Sequence, residues 1–141
     1  MGFQNNAKRI ITIPIQGSAG LNPTSTSKYY STLGGLSTKT EGIRGECIEY
    51  NGIIKAASSI WWCNGANGSA EIINAYIHFS PTREYLFASV GTAEQLRNFR
   101  NNNLNIPVAI GDSFSMAFLC PTWVTAPATV YISGLIWIET T

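Results

Sequence analysis

At 141 residues the chain has the length of one globular domain, and 45% of it is apolar, enough for a core without disulfides or metal. Charged residues make up only 12%, against about 25% in an ordinary soluble domain, and the net charge is +1. The few Lys and Arg are scattered and no apolar run approaches ~18 residues, which excludes nucleic-acid binding and membrane insertion as expectations.

In chain order, residues 8–16 predict a strand through Ile10, Ile11, Ile13 and Ile15, with Pro14 placing it at a sheet edge or near a bulge. Residues 17–42 lose the pattern: Gly, Ser and Thr dominate and Asn22-Pro23 marks a turn. So long a stretch either hides short strands near Tyr29-Tyr30 and Leu33 or is an arm laid on another molecule. We therefore divide the chain into residues 1–42, an N-terminal strand and arm, and residues 43–141, a β-sandwich. Together they form one compact domain.

Residues 44–62 read as a hairpin about Asn51-Gly52, since Asn-Gly between two apolar runs suits a turn with positive φ at both centres. That register sets Cys47 opposite Ala56. The second strand ends at Ile60-Trp61-Trp62-Cys63, and residues 64–68 turn. Strands follow over 71–79 and 85–90. Thr92-Ala93-Glu94-Gln95 has the form of a capping box and predicts a short helix over about 93–101. Strands over 106–110 and 113–120 come next, the second with Phe114, Met116 and Phe118 on one face. The last strand, 129–139, is apolar on both sides: Val130, Ile132, Ile136 and Ile138 on one, Tyr131, Leu135 and Trp137 on the other. About eight short strands between Gly, Asn and Pro turns predict an all-β fold, a jelly-roll-like antiparallel β-sandwich.

Catalytic groups are sparse. The chain has one histidine, His78, and one aspartate, Asp112, with no Gly-x-Ser-x-Gly elbow. Gly111-Asp112-Ser113 is similar to the opening of an esterase block, but no His follows it, and a polar turn entering a strand accounts for it. His78, mid-strand, reads as a partly buried, satisfied residue. Cys47, Cys63 and Cys120 are an odd, scattered set that suits a reducing compartment and gives no metal-ligand spacing. Neither cofactor nor metal is expected, and no enzymatic activity. A small hydrolase using His78 is the least favoured reading. The opening residues, Met1 to Asn6, carry no apolar signal-peptide core and lack the Ser or Thr of a myristoylation signal.

Ser, Thr, Asn and Gln supply 41 residues, so the surface is built of hydroxyls and amides. Such groups are easier to bury against a neighbour than ions are. Four Trp, six Tyr and six Phe add residues that interfaces favour. Trp123, between Pro121 and Pro127, and Trp61 are candidate contacts for a ligand or partner.

The segment from Gly111-Asp112 through the alternating strand and Pro-containing loop to Val130-Tyr131-Ile132-Ser133-Gly134-Leu135-Ile136-Trp137-Ile138 resembles the closing strands of trimeric jelly rolls. These include tumour-necrosis-factor-like heads and the spike and decoration domains of bacteriophages and viruses. The resemblance covers residues 111–138. It implies a homotrimer in which Tyr131, Leu135 and Trp137 face other subunits. With the low charge and the N-terminal arm, it leads to the expectation of a virion structural protein: a capsid, decoration or short-spike subunit made in the host cytoplasm. Its partners would be copies of itself and other virion proteins. The alternative is a tip module that binds a host glycan or receptor.

Overall fold

The computed structural model describes residues 8–31, 46–79 and 83–141. Ten strands run β1 (Ile10–Leu21), β2 (Lys28–Ser31), β3 (Glu46–Cys47), β4 (Gly52–Cys63), β5 (Ile73–Phe79), β6 (Arg83–Val90), β7 (Leu96–Asn101), β8 (Ile106–Val108), β9 (Ser113–Leu119) and β10 (Val130–Thr140). They form two antiparallel sheets. In the first the order is β1-β10-β4-β7, with β8 beside β7 on the same edge of β4; in the second it is β2-β9-β5-β6, with β3 also on β9. Counting β2/β3 and β7/β8 as one position each, eight positions pass back and forth between the sheets in jelly-roll order, with β5 and β6 the one consecutive pair in the same sheet. The expected all-β sandwich is therefore the fold. β1 and β2 are strands of its two sheets, and residues 1–7 and 32–42 of the expected N-terminal segment lie outside the described residues.

The core fills the space between sheets from alternate residues of each strand. Trp61 and Phe99 from the first sheet close on Phe118 of the second, with ring centroids 5.4–5.8 Å apart. Phe79 and Phe114 extend this cluster. Ile132, Ile136 and Ile138 of β10, also in the first sheet, are buried beside it. Tilted and edge-on aromatic pairs at such spacing add attraction beyond the area they remove from water.

Two expectations fail, each for a local reason. The segment foreseen as a helix over 93–101 is strand β7, and no helix occurs among the described residues. Its burial alternates, with Arg97 and Phe99 inward and Leu96, Asn98 and Arg100 outward. Gln95 does not turn back to cap Thr92. Its side-chain amide donates to the Cys63 carbonyl at 3.2 Å, and its own carbonyl accepts from the Cys63 N–H at 2.8 Å. The Asn51-Gly52 hairpin is also absent. Cys47 lies opposite Ser113 rather than Ala56, while β4 pairs with β10 in the other sheet. Gly52 serves close approach instead of a turn, because a Cβ there would sit 2.5 Å from the Glu139 carbonyl oxygen. None of the three cysteines is in a disulfide; Cys63 and Cys120 are buried and Cys47 is exposed.

Trp61 and Trp62 are adjacent yet stand on opposite faces of β4. Trp61→Ala should destabilise the protein by about 3–5 kcal/mol through the cavity it leaves, whereas Trp62→Ala should change folding stability by less than about 1 kcal/mol. Urea unfolding of the two variants, followed by circular dichroism, measures the difference.

Candidate functional site: an apolar outer sheet face

The first sheet carries its inner residues into the core and a second apolar set on its outer face. Register places these outer residues in rows across the strands. Leu96, Trp62 and Tyr131 form one row, Asn98, Ile60 and Ser133 the next, then Arg100, Ser58, Leu135 and Pro14, and then Ala56, Trp137 and Thr12. Trp62 is 41% exposed, Leu96 43%, Ile60 38%, Tyr131 37% and Leu135 36%. The Trp62 and Tyr131 rings lean together at 5.8 Å between centroids. Between the Ile60 and Leu135 rows lies a hollow of about 270 Å³, bounded by Pro14, Ser58 and Ser133. Among the described residues the charges on this face are Arg100, whose guanidinium donates to Asn102, Lys55 at the bulge of β4, and Glu139, paired with Lys8 at 3.0 Å.

Of the residues singled out in the sequence, the structure brings Tyr131, Leu135 and Trp137 together on this face, Trp137 half-buried. Trp61 goes to the opposite side of its strand and is fully buried, and Trp123 is 8% exposed. Neither indole is placed to stack on an external ligand. Trp62, Ile60, Leu96 and Pro14 complete the face and were not among the candidates. Their signal was the partner parity of β4, Ile60 and Trp62 against Trp61.

The outer face of the second sheet is built differently. His78 is 4% exposed, its Nδ1 lies 3.0 Å from Glu84 Oε1, and its ring meets Tyr30 edge-on at 5.1 Å. Lys28 reaches over the Tyr76 ring to pair with the same Glu84 carboxylate. Ammonium, carboxylate and imidazole thus satisfy one another across four strands, and Ser115 opposite His78 is buried. His78 is the satisfied residue that the sequence suggested. Gly111-Asp112 is a turn into β9. Gly111 takes φ 93°, and Asp112 Oδ2 accepts from the Ala109 N–H at 2.9 Å and from Arg83 at 3.3 Å. Among the described residues no group of three or more His, Cys, Asp or Glu is arranged to hold a metal.

At one end of the sandwich, Arg97 is buried and donates to the Thr92, Asn67 and Ser69 carbonyls at 2.9, 2.6 and 3.4 Å and to Cys63 Sγ at 3.2 Å. It ties the β4–β5 and β6–β7 loops to the end of β4. Next to them, Glu71 Oε1 accepts the Val124 N–H at 3.0 Å, anchoring the loop that carries Trp123. A hydrogen bond from Ser69 holds the Glu71 carboxyl below its usual 4.5, with the Glu71 and Val124 backbone N–H groups adding to it and burial opposing it.

No family model and no curated protein matches this sequence. Among solved structures, the chain is similar to the crystal structure of FLHE, with a TM-score of 0.51 and 10% identity over 95% of this chain and 98% of that one. At that identity the likeness is one of fold. A Desmodium yellow mottle tymovirus structure aligns over 99% of this chain and 92% of its own, with a TM-score of 0.31 and 11% identity, too loosely to bear on function.

Because the folded pKa of Glu71 is depressed, its contribution to stability is present above 4.5 and is lost as the pH falls through the lower, folded value. The difference in urea midpoint between the wild type and Glu71→Gln should be full at neutral pH and close below 4.5. A constant difference would show that the carboxylate has no part in it.

Proposed function

We propose that the protein is a virion structural subunit that self-assembles through the outer face of the β1-β10-β4-β7 sheet. The observation that carries this reading is the contrast between the two outer faces. One closes its polar groups on themselves. The other presents an aromatic and aliphatic surface, with few charged residues, across four strands. A contiguous apolar face of that kind marks a contact surface.

Size supports a second copy as its partner. Eight residue steps at about 3.3 Å, from Tyr131 to Glu139, and four strands about 4.8 Å apart give roughly 500 Å². Three such faces around one axis together bury about 1,500 Å², comparable to the total area of a specific interface. The face is as poor in charge as the sequence as a whole, and a matching face of the same kind removes it from water without stranding ions. The trimeric jelly rolls that the closing strands resemble suggest the symmetry: a threefold axis along β10, with Tyr131, Leu135 and Trp137 toward it. The role would be that of a capsid, decoration or short-spike protein, with copies of itself and other virion proteins as partners and the virion as location.

Light scattering at high salt should give a molar mass of three times 15.3 kDa at micromolar concentration. Leu135→Asp, at an exposed position, should reduce it to one chain while leaving the thermal midpoint of the monomer unchanged. A wild type that remains monomeric throughout would refute the proposal.

A further inference from the structure

A second surface lies where the strands of the first sheet end. The start of β1 and the end of β10 are joined by the Thr140 N–H donating to the Arg9 carbonyl at 2.8 Å. On the other side of β10, the Thr141 N–H donates to the Asn51 carbonyl at 3.1 Å, and the Asn51 side chain accepts the Ile110 N–H at 3.1 Å. The end of β10 is therefore the floor of a groove of about 520 Å³. Arg9 and Ile10 form one bank, and Glu49, Tyr50 and Ile110 the other. Its apolar residues are well exposed, Ile110 at 66%, Ile10 at 57% and Tyr50 at 48%.

The banks are oppositely charged. Arg9 and Glu49 are both exposed, and neither side chain has an ion-pair partner among the described residues. Such a groove is complementary to itself when turned by a twofold axis. Arg9 of one copy then faces Glu49 of the other, the reverse pair forms by symmetry, and Ile10, Tyr50 and Ile110 close between them. Any partner that fits must bring a cation opposite Glu49, an anion opposite Arg9 and apolar groups between. A second copy carries all three in the required order.

We infer that this groove is a twofold contact that joins the compact oligomers of the sheet face into a larger array. This rests on the self-assembly proposed above, because the groove alone is too small for a stable dimer of single subunits. Once each oligomer presents several copies, later contacts form at high effective concentration and a weak pair suffices. Screening of the exposed ion pairs makes the array sensitive to salt while the apolar sheet-face contact is not.

Sedimentation and light scattering at low and high salt test it with four proteins: the wild type, Arg9→Glu, Glu49→Arg, and the double exchange. The wild type should form species larger than the compact oligomer at low salt. Each single reversal should leave the compact oligomer alone, and the double exchange should restore the larger species. A wild type that stops at the compact oligomer overturns the groove contact. So do reversals without effect, or a double exchange that fails to rescue. A monomeric wild type overturns the sheet-face assembly as well, whereas a wild type that forms the compact oligomer, is reduced to single chains by Leu135→Asp and shows no larger species at low salt overturns the groove contact alone.

Discussion

Strand β10 lies between β1 and β4, hydrogen-bonded on both edges and apolar on both faces. In most half-buried strands a slip of one residue is prohibitive because it turns polar side chains into the core. Here it would exchange Val130, Ile132, Ile136 and Ile138 for Tyr131, Leu135 and Trp137, and polarity would offer little resistance. Glycines supply the missing constraint. A Cβ at Gly134 would lie 2.6 Å from the Ser58 carbonyl oxygen and 3.1 Å from Met116 Sδ of the facing sheet. One at Gly52 would meet the Glu139 carbonyl at 2.5 Å. Only the observed register brings residues without side chains to both points. The centre of the first sheet, and the outer face built on it, depend on that fit.

The strands were legible where two-residue alternation survives, as in β5, β9 and β10, and obscure where one residue breaks it. β7 is a clear alternation except that Arg97 takes an inward place, so a guanidinium stands where an apolar residue announces a core face. Its partners include the Asn67 and Ser69 carbonyls of a distant loop, which local sequence cannot supply. The choice between Trp61 and Trp62 was hidden by a bulge. Ile54 and Ala57 both point inward because Trp137 pairs with Ala56 while Ile138 pairs with Ile54, leaving Lys55 as the extra residue. Alternation counted from Ile54 puts Trp62 in the core; the bulge inverts it and puts Trp61 there. Asn51-Gly52 carried a genuine glycine requirement, read as turn geometry when its cause is steric contact with β10.

For the candidate face, Tyr131, Leu135 and Trp137 could be named from one strand because its two apolar faces were visible. The contributions of β1, β4 and β7 could not, since they depend on strand order, and that order is set by connections between sheets. The same connections make the faces unlike. The second sheet brings Lys28, His78 and Glu84 from three different strands within reach of one another and closes them into a network. The first sheet has no such set to bring together.

Sheet edges decide what kind of association an apolar face allows. An open edge invites strand addition, which has no natural end, and proteins guard edges with proline, short strands and bulges. β1, at one edge of the first sheet, carries Pro14. The opposite edge is divided between two short strands, and β8 contains Pro107. In the second sheet, edge strand β6 is paired across an irregularity between Ala75 and Tyr76. All these features weaken growth through backbone hydrogen bonds, and none of them covers the Trp62–Tyr131–Leu135 surface. Association is thereby directed from edges to a face. In the proposed assembly the contact is made through this face, and it ends in an oligomer of fixed size because its rotation closes. A chain with so few charges has little electrostatic repulsion between copies, so under that proposal the guarded edges and the open face decide where copies meet.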